Sequence, residues 1–125
     1  MRELKIKKCL NCGAVVKVIN DCNCEDCGIT CCGEPMTLVK ANSVDAAFEK
    51  HVPTYEIVDD EIVVKVNHVM DDEHYIMWIA LIGNEAEEYV YLNPGDEAVA
   101  RFKKHDKGKL YSYCNLHSLW ETEII

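Results

Sequence analysis

Four histidines and one cysteine in the second part of the chain have the types and positions to bind a single transition-metal ion. His51 comes just before a valine-proline pair, and His68 and His74 bracket a short turn-like segment. Cys114 and His117 form a Cys-x-x-His pair at the end of an apolar run. Imidazole nitrogen combined with one thiolate suits iron, copper or zinc. The pattern therefore predicts a mononuclear histidine and cysteine metal site.

The first part of the chain is rich in cysteine. Seven of the eight cysteines lie between Cys9 and Cys32, and Cys9 and Cys12 form a Cys-x-x-Cys knuckle followed by a glycine. A second pair of thiolates would complete a tetrahedral site that suits iron or zinc. Two pairs could complete it: Cys31 with Cys32, or Cys24 with Cys27.

Two other assignments were weighed. A blue-copper site is the main rival for the histidine cluster, but the histidines are too many and no methionine follows His117. His105 lies in a basic stretch and is interpreted as exposed or structural, and Cys22 as a free thiol.

Composition excludes some classes of protein. The 125 residues carry a formal net charge of -9 with no evident basic face, which disfavours nucleic acid as a partner. No run of about 18 apolar residues is present, so no membrane span is expected. The first residues lack the apolar core of a signal peptide, and clustered cysteines favour metal binding in a reducing compartment. The expected location is cytoplasmic.

The chain divides by composition into two expected domains. Residues 1–36 hold seven cysteines, no histidine and no aromatic residue, and so short a segment needs a metal to hold it together. Residues 37–44 are the expected linker. Residues 45–125 hold all five histidines, both tryptophans and all six tyrosines.

The second domain is expected to be an antiparallel β-sandwich, because β-branched and aromatic runs alternate with turn residues. Ser43 is expected to N-cap a helical turn over Asp45–Glu49. The predicted strands are Tyr55–Val58, Glu61–Val66, Tyr75–Ile82, Glu88–Leu92, Leu110–Cys114 and Leu119–Ile125.

Five motifs, in order and spread over nearly the whole chain, resemble the signature of the desulfoferrodoxin family. The Cys-Cys-Gly-Glu-Pro-Met and Glu-Lys-His-Val-Pro motifs are the most specific of them. The motifs are Cys9-x-x-Cys12-Gly13, Cys31-Cys32-Gly33-Glu34-Pro35-Met36, Glu49-Lys50-His51-Val52-Pro53, His74-Tyr75-Ile76-Met77-Trp78-Ile79 and Tyr113-Cys114-Asn115-Leu116-His117.

The resemblance implies a mainly β protein: a desulforedoxin-like metal domain followed by an immunoglobulin-like sandwich that carries a catalytic iron. It also implies two ligand sets. The first centre would use Cys9, Cys12, Cys31 and Cys32, and the catalytic iron would use His51, His68, His74 and His117 with Cys114 as axial thiolate. The segment between Cys12 and Cys31 is longer than expected for the family and contains Cys22, Cys24 and Cys27, which keeps Cys24 and Cys27 open as alternative ligands.

The activity that the resemblance implies is superoxide reduction to hydrogen peroxide, with electrons from a rubredoxin-like donor, in a homodimer. Lys50 would supply positive charge beside the open iron position, and Glu49 would be a sixth ligand in the resting ferric state. Two alternatives from other classes stay open: a non-enzymatic iron electron carrier, and a structural protein held together by zinc.

Overall fold

The computed structural model describes residues 2–23, 28–104 and 106–125. It divides the chain into two compact units, Leu4–Lys40 and Ala41–Ile125, the latter together with the start of the chain. Among the described residues, no helix is both long enough and apolar enough to cross a bilayer.

The smaller unit consists of very short strands. β1, β2 and β5 form an antiparallel sheet in the order β2-β1-β5, and β3 pairs with β4 in a hairpin. The strand β5 lies inside residues 37–44, the expected linker, and its pairing with β1 gives the first residues of that segment a place in the sheet. The strands are β1 (Ile6–Lys8), β2 (Val15–Lys17), β3 (Thr30–Cys31), β4 (Glu34–Pro35) and β5 (Thr37–Leu38).

Tight turns organise this unit together with a few buried apolar side chains, such as Ile6 and Met36. The turn after the first knuckle is closed by Gly13 N–H donating to Cys9 O at 2.9 Å, with Gly13 at a φ of 80°. Cys32 and Gly33 both take positive φ between β3 and β4. Positive φ is strained for a residue with a Cβ, so the Cys32 backbone is held by its surroundings. Strands of two or three residues are too short for a periodicity, which is why the sequence did not predict them.

The larger unit is a seven-stranded antiparallel sandwich. One sheet has three strands in the order β10-β7-β6, and the other has four in the order β12-β11-β8-β9. This confirms the predicted sandwich, and each of the six predicted strands is present within two residues of its expected bounds. The strands are β6 (Thr54–Val58), β7 (Glu61–Lys65), β8 (Ile76–Ile82), β9 (Glu87–Tyr91), β10 (Val99–Lys103), β11 (Gly108–Cys114) and β12 (Ser118–Ile124).

The core lies between the inward faces of the two sheets. Ile62 and Val64 on β7 alternate inward and pack with Ala100 and Phe102 on β10. Leu81 on β8 meets them from the other sheet, together with further apolar residues of β8, β11 and β12. Period-two burial of this kind is what a sheet with one face on the core requires.

Two expectations about local structure were wrong. Strand β10 was not predicted, although Ala100 and Phe102 alternate with exposed Arg101 and Lys103. The helical turn is a 3₁₀ turn at Phe48–Lys50, and Ala47 occupies the capping position without a side-chain hydrogen bond, so Ser43 is not the N-cap. The extended backbone that leads into the turn places the helical residues later than the propensity pattern suggested.

A β-bulge marks the end of the sheet that carries the metal-site residues. Along β11, Tyr113 lies opposite Trp78, but Cys114 lies opposite Ile76, so one residue of β8 is skipped. Residues 76 and 79 would face opposite sides of a regular strand, but the bulge lets Ile76 and Ile79 both face the core. Bulges redirect side chains at sheet ends, and this one lies beside Cys114.

We expect Leu81→Ala to lower the free energy of unfolding of the sandwich by about 2–5 kcal/mol, because Leu81 is fully buried between the sheets. Urea denaturation followed by tryptophan fluorescence measures it, since both tryptophans lie in this unit. Leu116→Ala is the matched control, because Leu116 is 60% exposed. A loss of similar size in the control would contradict this account of the core.

Candidate metal centres

Four histidines from three separate segments form a closed ring in the larger unit. The ring centroids of neighbours lie 4.7 Å apart for His51 and His68, 4.6 Å for His68 and His74, 5.1 Å for His74 and His117, and 4.9 Å for His117 and His51. Each ring is turned by 70–88° from its neighbours. Imidazoles arranged in this way direct one nitrogen each toward a common centre.

Cys114 lies against this ring. Its Sγ is 3.4 Å from His68 Nε2 and 3.9 Å from His117 Nδ1, and the residue is fully buried at the end of β11. The ligand atoms of Cys114, His51, His74 and His117 all lie within 4.8 Å of one another. The backbone N–H of His117 donates to Cys114 Sγ at 3.3 Å, a hydrogen bond that stabilises a thiolate.

The outward ring nitrogens are held by backbone carbonyls. His51 Nδ1 lies 2.7 Å from Ala47 O, and His68 Nδ1 contacts Val69 O. This leaves Nε2 of both rings facing the centre, and His51 Nε2 is 3.1 Å from His117 Nδ1. Carbonyl contacts on the outer nitrogen fix the tautomer and orientation of a metal-binding imidazole.

His74 provides the clearest test of whether a metal fits. Its Nε2 is buried and is the one buried side-chain nitrogen or oxygen among the described residues that has no hydrogen-bond partner. A buried polar atom without a partner is costly, and an ion at the centre of the ring would satisfy it. Four imidazoles and one thiolate are a donor set that suits iron.

The electrostatics of the ring favour neutral imidazoles. Burial lowers the pKa of His51, and the positive charges that His117 and His74 would carry lower it further. The pKa of His68 is lowered for the same reasons, by burial first and then by repulsion from the other histidines. A metal ligand must be the neutral imidazole, so the lowered pKa values of His51 and His68 favour metal binding at these two residues.

The β11–β12 hairpin contributes three positioning groups that the sequence did not identify. Ser112 Oγ donates to His51 O at 2.6 Å. Trp120 stacks on the His51 ring at 4.9 Å, and its Nε1–H donates to His117 O at 2.9 Å. Asn115 bonds to the backbone beside His74. Asn115 lies in the motif that also contains Cys114 and His117, but its spacing does not predict that it contacts the backbone of Glu73 and Tyr75.

Glu49 and Lys50 lie on the exposed 3₁₀ turn immediately before His51. The negative charge of Glu49 is close enough to raise the pKa of His51 slightly, against the larger lowering caused by burial. The turn therefore places one carboxylate and one ammonium group next to a residue of the ring.

A second cluster of metal-binding groups lies in the smaller unit. The thiol sulfurs of Cys9, Cys12, Cys31 and Cys32 all lie within 4.8 Å of one another. Cys12 Sγ is 3.6 Å from Cys31 Sγ, and the backbone N–H of Cys12 donates to Cys9 Sγ at 3.5 Å. All four are free thiols. Four converging sulfurs match a structural four-thiolate site.

The four thiols cannot all ionise without a cation. Backbone N–H groups of Cys12 and Asn11 lower the pKa of Cys9 to about 7. Hydrogen bonding within the cluster, with the Cys12 and Cys9 thiols first, raises the pKa of Cys31 to about 12. A bound divalent ion removes this conflict because its charge compensates the thiolates. The alternative ligands Cys24 and Cys27, and also His105, lie outside the described residues, and Cys22 is exposed.

Comparison with known proteins agrees with this geometry. The family model described as desulfoferrodoxin matches residues 43–123. The desulfoferrodoxin of Syntrophotalea carbinolica is 43% identical, and that of Nitratidesulfovibrio vulgaris is 38% identical, each alignment covering 97% of both chains. The crystal structure of the superoxide reductase from Treponema pallidum superposes with a TM-score of 0.73 at 28% identity, covering 97% of this chain and 99% of that one. The chain belongs to the desulfoferrodoxin family.

We expect Cys31→Ser to remove metal from the first centre only, because Cys31 Sγ contacts the sulfurs of both Cys12 and Cys32. Elemental analysis should then fall by about one metal ion per chain. Cys22→Ser is the matched control and should keep the full content. If Cys27→Ser loses the metal and Cys31→Ser keeps it, the alternative pair is the ligand set.

Proposed function

We propose that the chain is a superoxide reductase, which converts superoxide to hydrogen peroxide at an iron held by His51, His68, His74, His117 and Cys114. The observation that carries this proposal is the ring of four imidazoles over a buried cysteine. Five ligands leave one of six positions for a small anion. The likeness over the full chain to a protein named superoxide reductase supports the same activity.

The ligand set accounts for the chemistry. An iron held by these residues would supply one electron to superoxide, and two protons from solvent would complete hydrogen peroxide. Cys114 is the group that makes the site a good electron donor, because a thiolate donates more electron density than an imidazole. Because Cys114 is fully buried whereas His68, His74 and His117 are partly exposed, a small anion would reach a bound iron from the side of the imidazoles and not from the side of the sulfur.

The residues of the 3₁₀ turn serve the approach of the substrate. The chain has a net charge of -9, which repels an anion at long range. Exposed charges further than about 10 Å are screened at ordinary salt, so a lysine at the site dominates locally. Lys50, next to His51, is the proposed attracting group, and the carboxylate of Glu49 is the proposed sixth ligand of the resting ferric state.

The smaller unit is proposed to be a separate metal domain, with iron or zinc on Cys9, Cys12, Cys31 and Cys32. Residues 41–125 form the proposed catalytic domain.

A rubredoxin-like protein is the proposed electron donor. We propose a homodimer, for which light scattering should give about twice 14.2 kDa. The free thiols support a reducing, cytoplasmic setting, because such clusters oxidise elsewhere.

The two alternatives make different demands on the ring. A simple electron carrier needs no open position, and a zinc-held structural protein needs no redox-active ion. The five donor groups, four imidazoles and one thiolate, exceed the four ligands of a structural zinc site and support the reductase instead. Zinc alone in both centres of the native protein would overturn the proposal.

Cys114→Ser tests the function directly. We expect the anaerobically reduced variant to react with superoxide at least about tenfold more slowly, since even groups that only orient a metal ligand are worth about 10- to 100-fold. Pulse radiolysis measures the rate, and the thiolate-to-iron absorption band should vanish. Cys22→Ser should behave as the unaltered protein does. Full activity in Cys114→Ser would refute the assigned thiolate.

Lys50→Ala tests the attraction of the substrate. We expect the rate with superoxide to fall about 2- to 10-fold at low salt, and to depend less on ionic strength. The control is Lys103→Ala. Lys103 lies on β10 opposite Glu61, which is at the end of β7 furthest from His68 along the chain. An unchanged rate in Lys50→Ala, or an equal fall in the control, would contradict the role of Lys50.

A further inference from the structure

The backbone on both sides of His74 is held by one side chain from the turn between β11 and β12. Asn115 Oδ1 accepts the backbone N–H of Tyr75 at 3.0 Å, and Asn115 Nδ2 donates to Glu73 O at 2.9 Å. The backbone N–H of Asn115 also donates to Tyr75 O at 3.2 Å. Three hydrogen bonds therefore join residue 115 to the two residues that flank His74.

His74 needs such support more than His51 and His68 do. His51 and His68 each have a backbone carbonyl on the outer ring nitrogen, which fixes their orientation. The backbone of His74 exchanges two bonds with Asp71, at 2.9 and 3.3 Å, that close its own turn but do not connect the turn to β11. The side-chain clamp from Asn115 makes that connection, between Cys114 and His117 on one side and His74 on the other.

We propose that Asn115 is a positioning residue that sets the place of His74 in the metal ring, by clamping the backbone at Glu73 and Tyr75. Asn115 touches neither the ring centre nor the substrate. The inference rests on the metal site of the proposed function, but it concerns metal binding and not the reaction. An asparagine suits the task because its amide carries a donor and an acceptor side by side.

The test compares two variants that keep different side-chain hydrogen bonds. Asn115→Ala loses both bonds, whereas Asn115→Asp keeps the acceptor for the backbone N–H of Tyr75. In Asn115→Ala we expect iron affinity, measured by chelator competition, to fall about 10- to 100-fold. Hydrogen exchange at the Tyr75 amide, measured by mass spectrometry on the iron-loaded protein, should rise roughly 2- to 10-fold. In Asn115→Asp the Tyr75 amide should stay protected, but the iron affinity should recover only in part, because the donor to Glu73 O is lost.

The control is Asn84→Ala, because Asn84 is an exposed residue of the loop between β8 and β9. It should change neither quantity. Iron affinity and Tyr75 exchange in Asn115→Ala within twofold of the unaltered protein would overturn the proposal. So would an Asn115→Asp variant in which the Tyr75 amide exchanges as fast as in Asn115→Ala, because an acceptor at this position would then not hold the Tyr75 backbone. If Asn115→Ala does not fold, protection of the Tyr75 amide in Asn115→Asp decides the matter.

The outcomes separate this inference from the proposed function. If the iron-loaded, unaltered protein fails to reduce superoxide, the proposed function is wrong, and the effect of Asn115 on iron affinity is judged by itself. If the unaltered protein is active and Asn115→Ala matches it in both measurements, the reductase stands and the clamp is rejected.

Discussion

The larger unit depends on bringing four histidines and one cysteine from three segments to one point at the end of a sheet. A ring of imidazoles around a thiolate is unfavourable without an ion, because buried nitrogens lose water and the rings repel each other once charged. Hydrogen bonds and packing of the sandwich must therefore hold the groups in place. The β11–β12 hairpin does most of this, because it carries Cys114 and His117 and also contacts the segments of His51 and His74.

Both candidate centres bring several metal-binding groups to one place, but the groups of the larger unit come from segments further apart along the chain. In the smaller unit the four thiols come from one knuckle, Cys9 and Cys12, and from one pair of neighbouring residues, Cys31 and Cys32. Tight turns with positive φ at Gly13, Cys32 and Gly33 help to bring the four sulfurs together. That unit has few buried apolar residues, so a bound metal would add to its stability. In the larger unit the packed core holds the strands in place, and the site lies at the ends of the strands.

Sequence patterns predicted the elements with a strong period or a strong residue preference. Six strands of the sandwich were predicted because each is an apolar or β-branched run bounded by turn residues. Strand β10 was missed although its alternation was visible, and the strands of the smaller unit are too short for any period to show. The helical turn was placed too early, because a capping propensity at Ser43 does not decide where the backbone bends.

The sequence by itself determined the types of metal-binding groups and, through the order of its motifs, the family. Residue chemistry is local, so histidine, cysteine and their spacing can be read directly from the chain. Only the tertiary structure decided which nitrogen of each ring faces the centre, that His74 Nε2 lacks a partner, and that Ser112, Asn115 and Trp120 hold the ring. The contacts of Ser112 with His51 and of Asn115 with Glu73 join residues 61 and 42 positions apart, and their geometry depends on strand pairing and the β-bulge.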